Sequence, residues 1–140
     1  MKFLIASIMS VIIVLGTTPV AKAQNLIQID PITLTKQDDI KDIETLGAAT
    51  DNMVKTIMAC TETGKDSIEC QCEHLSEAKH YQNTLSGILD KHPEWIGKAT
   101  FYEYEYKGDN PNYPPVMGKT TSFIGHSRQS EMIDNLSCNK

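Results

Sequence analysis

CTETGKDSIECQCEHLSEAKHYQNTLSGILDKH, Cys60 to His92, is the stretch whose reading decides the fold. It contains three of the four cysteines and three of the four histidines of the chain. After a polar turn around Gly64, apolar residues recur at helical spacing. Leu75, Ala78, Tyr81, Leu85, Ile88 and Leu89 form one stripe. The spacing predicts a helix that starts between Asp66 and Cys72 and runs to about Lys91. Pro93 ends it, because the residue before a proline is pushed out of the helical region.

Upstream, Ile40, Ile43, Leu46, Thr50, Met53, Val54, Ile57 and Cys60 also recur at three- and four-residue spacing. That pattern predicts a first amphipathic helix ending near Cys60. Thr35-Lys36-Gln37-Asp38 resembles a capping box at its start. Gly47 weakens this helix or marks the close approach of another element. Met53 and Met58 are conceivable copper ligands, but methionine at helical spacing reads as core filling. Two helices joined by a short turn predict an antiparallel hairpin.

The cysteines staple that hairpin. Cys60, Cys70, Cys72 and Cys138 allow three pairings. Cys70–Cys72 is disfavoured, because residues two apart point about 200° apart round a helix and to opposite faces of a strand. Two pairings stay open: Cys60–Cys70 with Cys72–Cys138, or Cys60–Cys72 with Cys70–Cys138. In either, one bridge closes the hairpin and the other ties down the C-terminal tail. A chemical alternative is a metal site at Cys70, Cys72 and His74, since thiolate and imidazole suit zinc or copper. The Cys-x-Cys spacing is tighter than zinc and redox motifs favour.

Oxidised cysteines require an oxidising compartment, and the first residues supply an address. Lys2 precedes an apolar run from Phe3 to Leu15, and Ala21-Lys22-Ala23 is a small-x-small cleavage site. Residues 1–23 are therefore expected to be a removed export signal, leaving one small disulfide-bonded domain over 24–140. The apolar run falls short of the roughly 20 residues of a membrane span, and no later stretch is apolar enough. The expected location is the periplasm or the medium.

The remainder of the chain predicts a small sheet. Gln24 to Leu34 carries five aliphatic residues around Pro31 and reads as an extended arm or edge strand. Trp95 reads as a plug over the helix end, or as a surface anchor for a partner. Ala99 to Lys107 (ATFYEYEYK) is the clearest strand, with Tyr102, Tyr104 and Tyr106 on the inward or half-buried face and Glu103 and Glu105 outward. A proline-rich loop, Gly108 to Pro115, connects it to a return strand over Val116–Ile124. Gly125 and His126 then turn the chain, and Ser127 caps a short helix bearing Met132, Ile133 and Leu136. The expected class is α+β: a disulfide-stapled helical hairpin on a small antiparallel β-hairpin, with a short C-terminal helix. The rival is an all-α fold with the tyrosine segment as a loop.

Function is constrained mainly by exclusion. Without Lys2 and Lys22, 11 basic residues face 18 acidic ones, a net charge of −7. Such a chain repels phosphate backbones, so nucleic acid is not an expected partner, whereas a cationic protein would be steered towards it. No nucleophile elbow, His-Glu-x-x-His pair or phosphate-binding glycine loop is present, and no cofactor is implied. Glu103 and Glu105 share a strand face, but such pairs usually form a solvated surface. The leading expectation is a non-enzymatic protein-binding module of inhibitor, immunity or accessory type. Its contacts would be Trp95, Tyr102, Tyr104, Tyr106 and Tyr113, because tyrosine and tryptophan offer large contact area at low entropic cost. The alternatives are metal handling through Cys70, Cys72 and His74, and a small hydrolase using His126 or His92 with a glutamate.

Overall fold

A computed structural model of the chain describes residues 30–138. The export segment and the start of the arm, up to Ile29, lie outside these residues. The order is β1 (Ile32–Thr33), α1 (Gln37–Thr61), α2 (Ser67–Glu73), α3 (Leu75–Lys91), a 3-10 turn (Pro93–Trp95), β2 (Ala99–Glu105), β3 (Val116–Ser122) and α4 (Phe123–Asp134). This is an α+β fold, and the all-α alternative does not hold.

The predicted stripe of α1 faces the core at Ile43, Leu46, Met53 and Cys60, which are buried. Each such aliphatic side chain contributes about 1.5–3 kcal/mol on burial. Met58 departs from the core-filling expectation: it is 57% exposed. The capping box does not form. Leu34 is buried and its N–H donates to the Phe101 carbonyl, which keeps the chain extended up to Lys36. Lys36 then stands at the N-cap without a side-chain bond, while Asp38 and Asp39 favour the positive end of the helix.

The expected second helix is two helices. Asp66 caps α2, accepting from the N–H groups of Ile68 and Glu69 at 2.8 and 2.9 Å. His74 leaves helical geometry (φ −109°, ψ 37°) and separates α2 from α3. The bridges show why the chain tolerates this break. Cys70 bonds to Cys60 at the end of α1, and Cys72 bonds to Cys138 beyond α4. Residues two apart on a helix face roughly opposite sides, so α2 is clamped between two separate elements. Of the two pairings left open, this structure contains the first.

α1 and α3 pack antiparallel: the start of α1 meets the end of α3 through Asp42 with Lys91 and His92. One hydrophobic cluster joins Leu34, Leu46, Tyr81, Leu85, Trp95, Phe123 and their neighbours. Trp95 is 1% exposed, stacked on His92 at 3.8 Å and tilted against Phe123 at 5.4 Å. It is the plug of the two readings, not a surface anchor.

The sheet order is β1-β2-β3. β1 runs parallel to β2, which needs the long crossover that the helices provide. β2 and β3 pair antiparallel from Ala99↔Ser122 to Glu105↔Val116. Tyr102 points inward and is buried, as expected, and Glu103 and Glu105 are exposed. Phe101, on the opposite face, lies over Gly118, where a Cβ would strike its ring.

α4 begins five residues before the expected start. Phe123 is fully buried and Ser122, not Ser127, is the N-cap, accepting from Gly125 N–H at 3.4 Å. Gly125 and His126 are therefore in the first helical turn. Packing of Phe123 against Trp95 outweighs the poor helix propensity of glycine.

Candidate functional site

The β2–β3 hairpin changes character along its length. Its root, Ala99 to Tyr102 with Thr121 opposite, is buried or half-buried. Its outer half is uncovered: Glu103, Tyr104 and Glu105 on β2, and Val116 and Gly118 to Thr120 on β3, are exposed. Side chains alternate across a strand, so both faces of the outer half lie open. The loop between the strands is exposed from Lys107 to Pro115.

Aromatic and apolar groups gather on this projection. Tyr104 is 39% exposed, and Tyr113 and Val116 are each 50% exposed. The Tyr104 hydroxyl lies 3.8 Å from Met117 Sδ. Tyr106 and Tyr113 tilt together at 5.1 Å between ring centroids. The loop is closed by Tyr106 N–H donating to the Pro115 carbonyl at 2.9 Å and Tyr113 N–H to the Asn110 carbonyl at 3.2 Å. The fold thus brings Tyr106 and Tyr113 together, while Tyr104 lies nearer the root, against Tyr102 and Met117. Tyr102 belongs to the core at 4% exposure, and Trp95 to the helix end, so neither offers a contact surface. Val116 and Met117 were not among the expected contacts. Their only sequence signal is their place just after Pro114-Pro115.

Two histidines make defined polar arrangements. His92 sits between carboxylates, with Nε2 at 3.1 Å from Asp42 and Nδ1 at 3.4 Å from Glu94. Lys91 Nζ adds a contact to Asp42 at 3.2 Å. Burial pushes the Asp42 carboxyl up, but the bonds and charges of His92 and Lys91 outweigh it and hold Asp42 below the usual carboxylate range. His126 lies 2.9 Å from the hydroxyl of buried Tyr81 through Nδ1. The same hydroxyl donates to the His126 carbonyl at 3.1 Å, so Nδ1–H is the donor to the phenol oxygen. Burial lowers the His126 pKa and pushes Tyr81 up to about 12. Of the expected histidine–glutamate pairs, His92 has Glu94 at 3.4 Å, whereas among the described residues the His126 ring bonds to Tyr81.

The Cys70-x-Cys72-x-His74 stretch presents no thiolate, because both cysteines are bridged. Glu73 and His74 lie close to Cys60 Sγ. That sulfur is bonded to Cys70, and Glu73 pairs with Lys65. A cleft of about 970 Å³ beside the Cys72–Cys138 bridge is lined by Ile68 and Leu75 together with Asp66, Ser67, Glu69, Glu73 and Ser137.

Comparison with protein-family models, with curated proteins and with solved structures finds no match. Among the described residues no helix is long and apolar enough to cross a membrane.

Proposed function

We propose that the chain is an exported, non-enzymatic protein-binding module that offers the outer half of its β2–β3 hairpin to another protein. The observation that carries this reading is the open projection itself. A two-stranded ribbon with both faces in water is marginal by itself, and here it carries Tyr104, Tyr113 and Val116 exposed beside a loop stiffened by proline. Tyrosines on a firm projection give contact area at small entropic cost. Glu103, Glu105 and Asp109 outnumber Lys107 and Lys119 on the hairpin, and the mature chain would be acidic. These features favour a cationic partner. The small-x-small site at Ala21–Ala23 and the two disulfides support export to the periplasm or medium.

The test uses a photo-crosslinking residue at position 113, with a control at exposed Lys55 on α1. A single partner captured from the exported fraction at position 113 and not at 55 supports the reading. Tyr104→Ala, Tyr106→Ala and Tyr113→Ala combined should abolish that capture while leaving the far-UV spectrum unchanged. Undiminished capture by the triple variant removes this surface from consideration.

A further inference from the structure

Met53 is buried at 2% exposure, as core filling requires, but Met58 and Met132 are 57% and 67% exposed. Met58 comes from α1 and Met132 from α4, far apart in sequence. All three side chains line one cavity of about 200 Å³, whose other walls include Val54, Ile57 and Ile133. Residues 30–138 contain four methionines, and only Met117 lies elsewhere, on the hairpin. One buried and two exposed methionines thus line the same cavity.

The chemistry of the group narrows the ligand. A thioether is a neutral, soft, polarisable donor and selects Cu(I) over hard or divalent ions. The cavity is smaller than the roughly 300 Å³ at which small organic ligands are usually held, yet ample for one ion. Cysteine thiolates, which would compete for such an ion, are not offered: all four cysteines are in disulfides. The long, unbranched methionine side chain lets Met58 and Met132 swing across the opening at little cost.

We infer that Met53, Met58 and Met132 form a thioether site for a soft monovalent cation, Cu(I). The site is separate from the proposed hairpin surface and does not depend on it. Met53 supplies a fixed sulfur in the floor, and Met58 and Met132 close over the ion from two helices. No electron is transferred; a solvated or weakly chelated ion exchanges its ligands for three sulfurs.

The experiment uses the full disulfide-bonded chain. Ag(I), the redox-inert analogue, is titrated into protein carrying ¹³C-labelled methionine methyl groups. Cu(I) affinity is measured anaerobically against a chromophoric chelator. The expected result is saturable shifts of the Met53, Met58 and Met132 methyl signals, with Met117 unmoved. Met58→Leu and Met132→Leu preserve volume and are tolerated in packing; each should weaken Cu(I) binding by roughly tenfold or more. Met117→Leu should leave it unchanged. Met53, Met58 and Met132 methyl signals that do not move at saturating Ag(I), or affinity that survives in the Met58→Leu/Met132→Leu double variant, overturn the assignment. The wild-type spectra decide the question even if a variant unfolds.

Discussion

Removal of the Cys72–Cys138 bridge tests both the pairing and the energetic role of the staple. This bridge spans a sequence separation of 66 residues, whereas Cys60–Cys70 spans 10. In the chain-entropy model, the longer loop restricts the unfolded ensemble by about 4.3 kcal/mol and the shorter by about 2.7 kcal/mol. Cys72 and Cys138 are half-buried, so alanine there removes little packing. Cys70 is fully buried, and its replacement would add a cavity cost. The longer bridge is therefore the cleaner perturbation. The Cys72→Ala/Cys138→Ala variant should lose about 4 kcal/mol, a large share of the roughly 5–15 kcal/mol typical of a domain. With a urea slope of about 1–3 kcal/mol/M, the unfolding midpoint should fall by roughly 1.5–4 M. The slope itself should rise, because the uncrosslinked chain exposes more surface when unfolded. Far-UV circular dichroism follows the transition, and non-reducing peptide mapping should still find Cys60 joined to Cys70. An unchanged midpoint, or a wild-type map joining Cys60 to Cys72, refutes the reasoning.

Trp95→Ala should cost about 3–5 kcal/mol, since it empties the space between His92 and Phe123; thermal unfolding reads this directly. Tyr81→Phe strands the His126 Nδ1–H and carbonyl without their shared partner and should cost about 1–3 kcal/mol. In the wild type, the raised Tyr81 pKa contributes stability that is complete below about pH 10 and lost as pH rises towards 12, so stability should fall less steeply over this range in the Phe variant. Asp42 has the opposite sign: its lowered pKa contributes stability above its ordinary value near 3.8, lost as pH falls through the folded value. Acid titrations of wild type and Asp42→Asn, followed by tryptophan fluorescence, should differ in slope below about pH 4. Thr100 Oγ1 is buried and finds no partner among the described residues. Thr100→Val keeps the shape and should raise stability by about 1 kcal/mol in urea melts.

The helical hairpin was legible because burial on one side of a helix imposes a local period, visible from Ile43 to Cys60 and from Leu75 to Leu89. The tyrosine strand was legible for the same reason at period two, and the turn-rich loop by its prolines. The candidate surface was read only in part. Alternation put Tyr102, Tyr104 and Tyr106 on one side but could not say how far along the strand the helices reach. That limit lies between Tyr102 and Glu103, and it separates a core residue from a surface one.

By itself, the sequence determined where periodic elements lie, that four sulfurs could staple them, and that Cys70 and Cys72 must face different ways. Those facts depend on neighbours a few residues apart. Tertiary structure decided everything that depends on residues far apart. It chose the sulfur pairs, broke the second helix at His74 and started α4 at Phe123 under Trp95. It also joined Tyr81 to His126 and set Met132 beside Met53 and Met58. No local pattern encodes such meetings, because they follow from how whole elements bury their faces against one another.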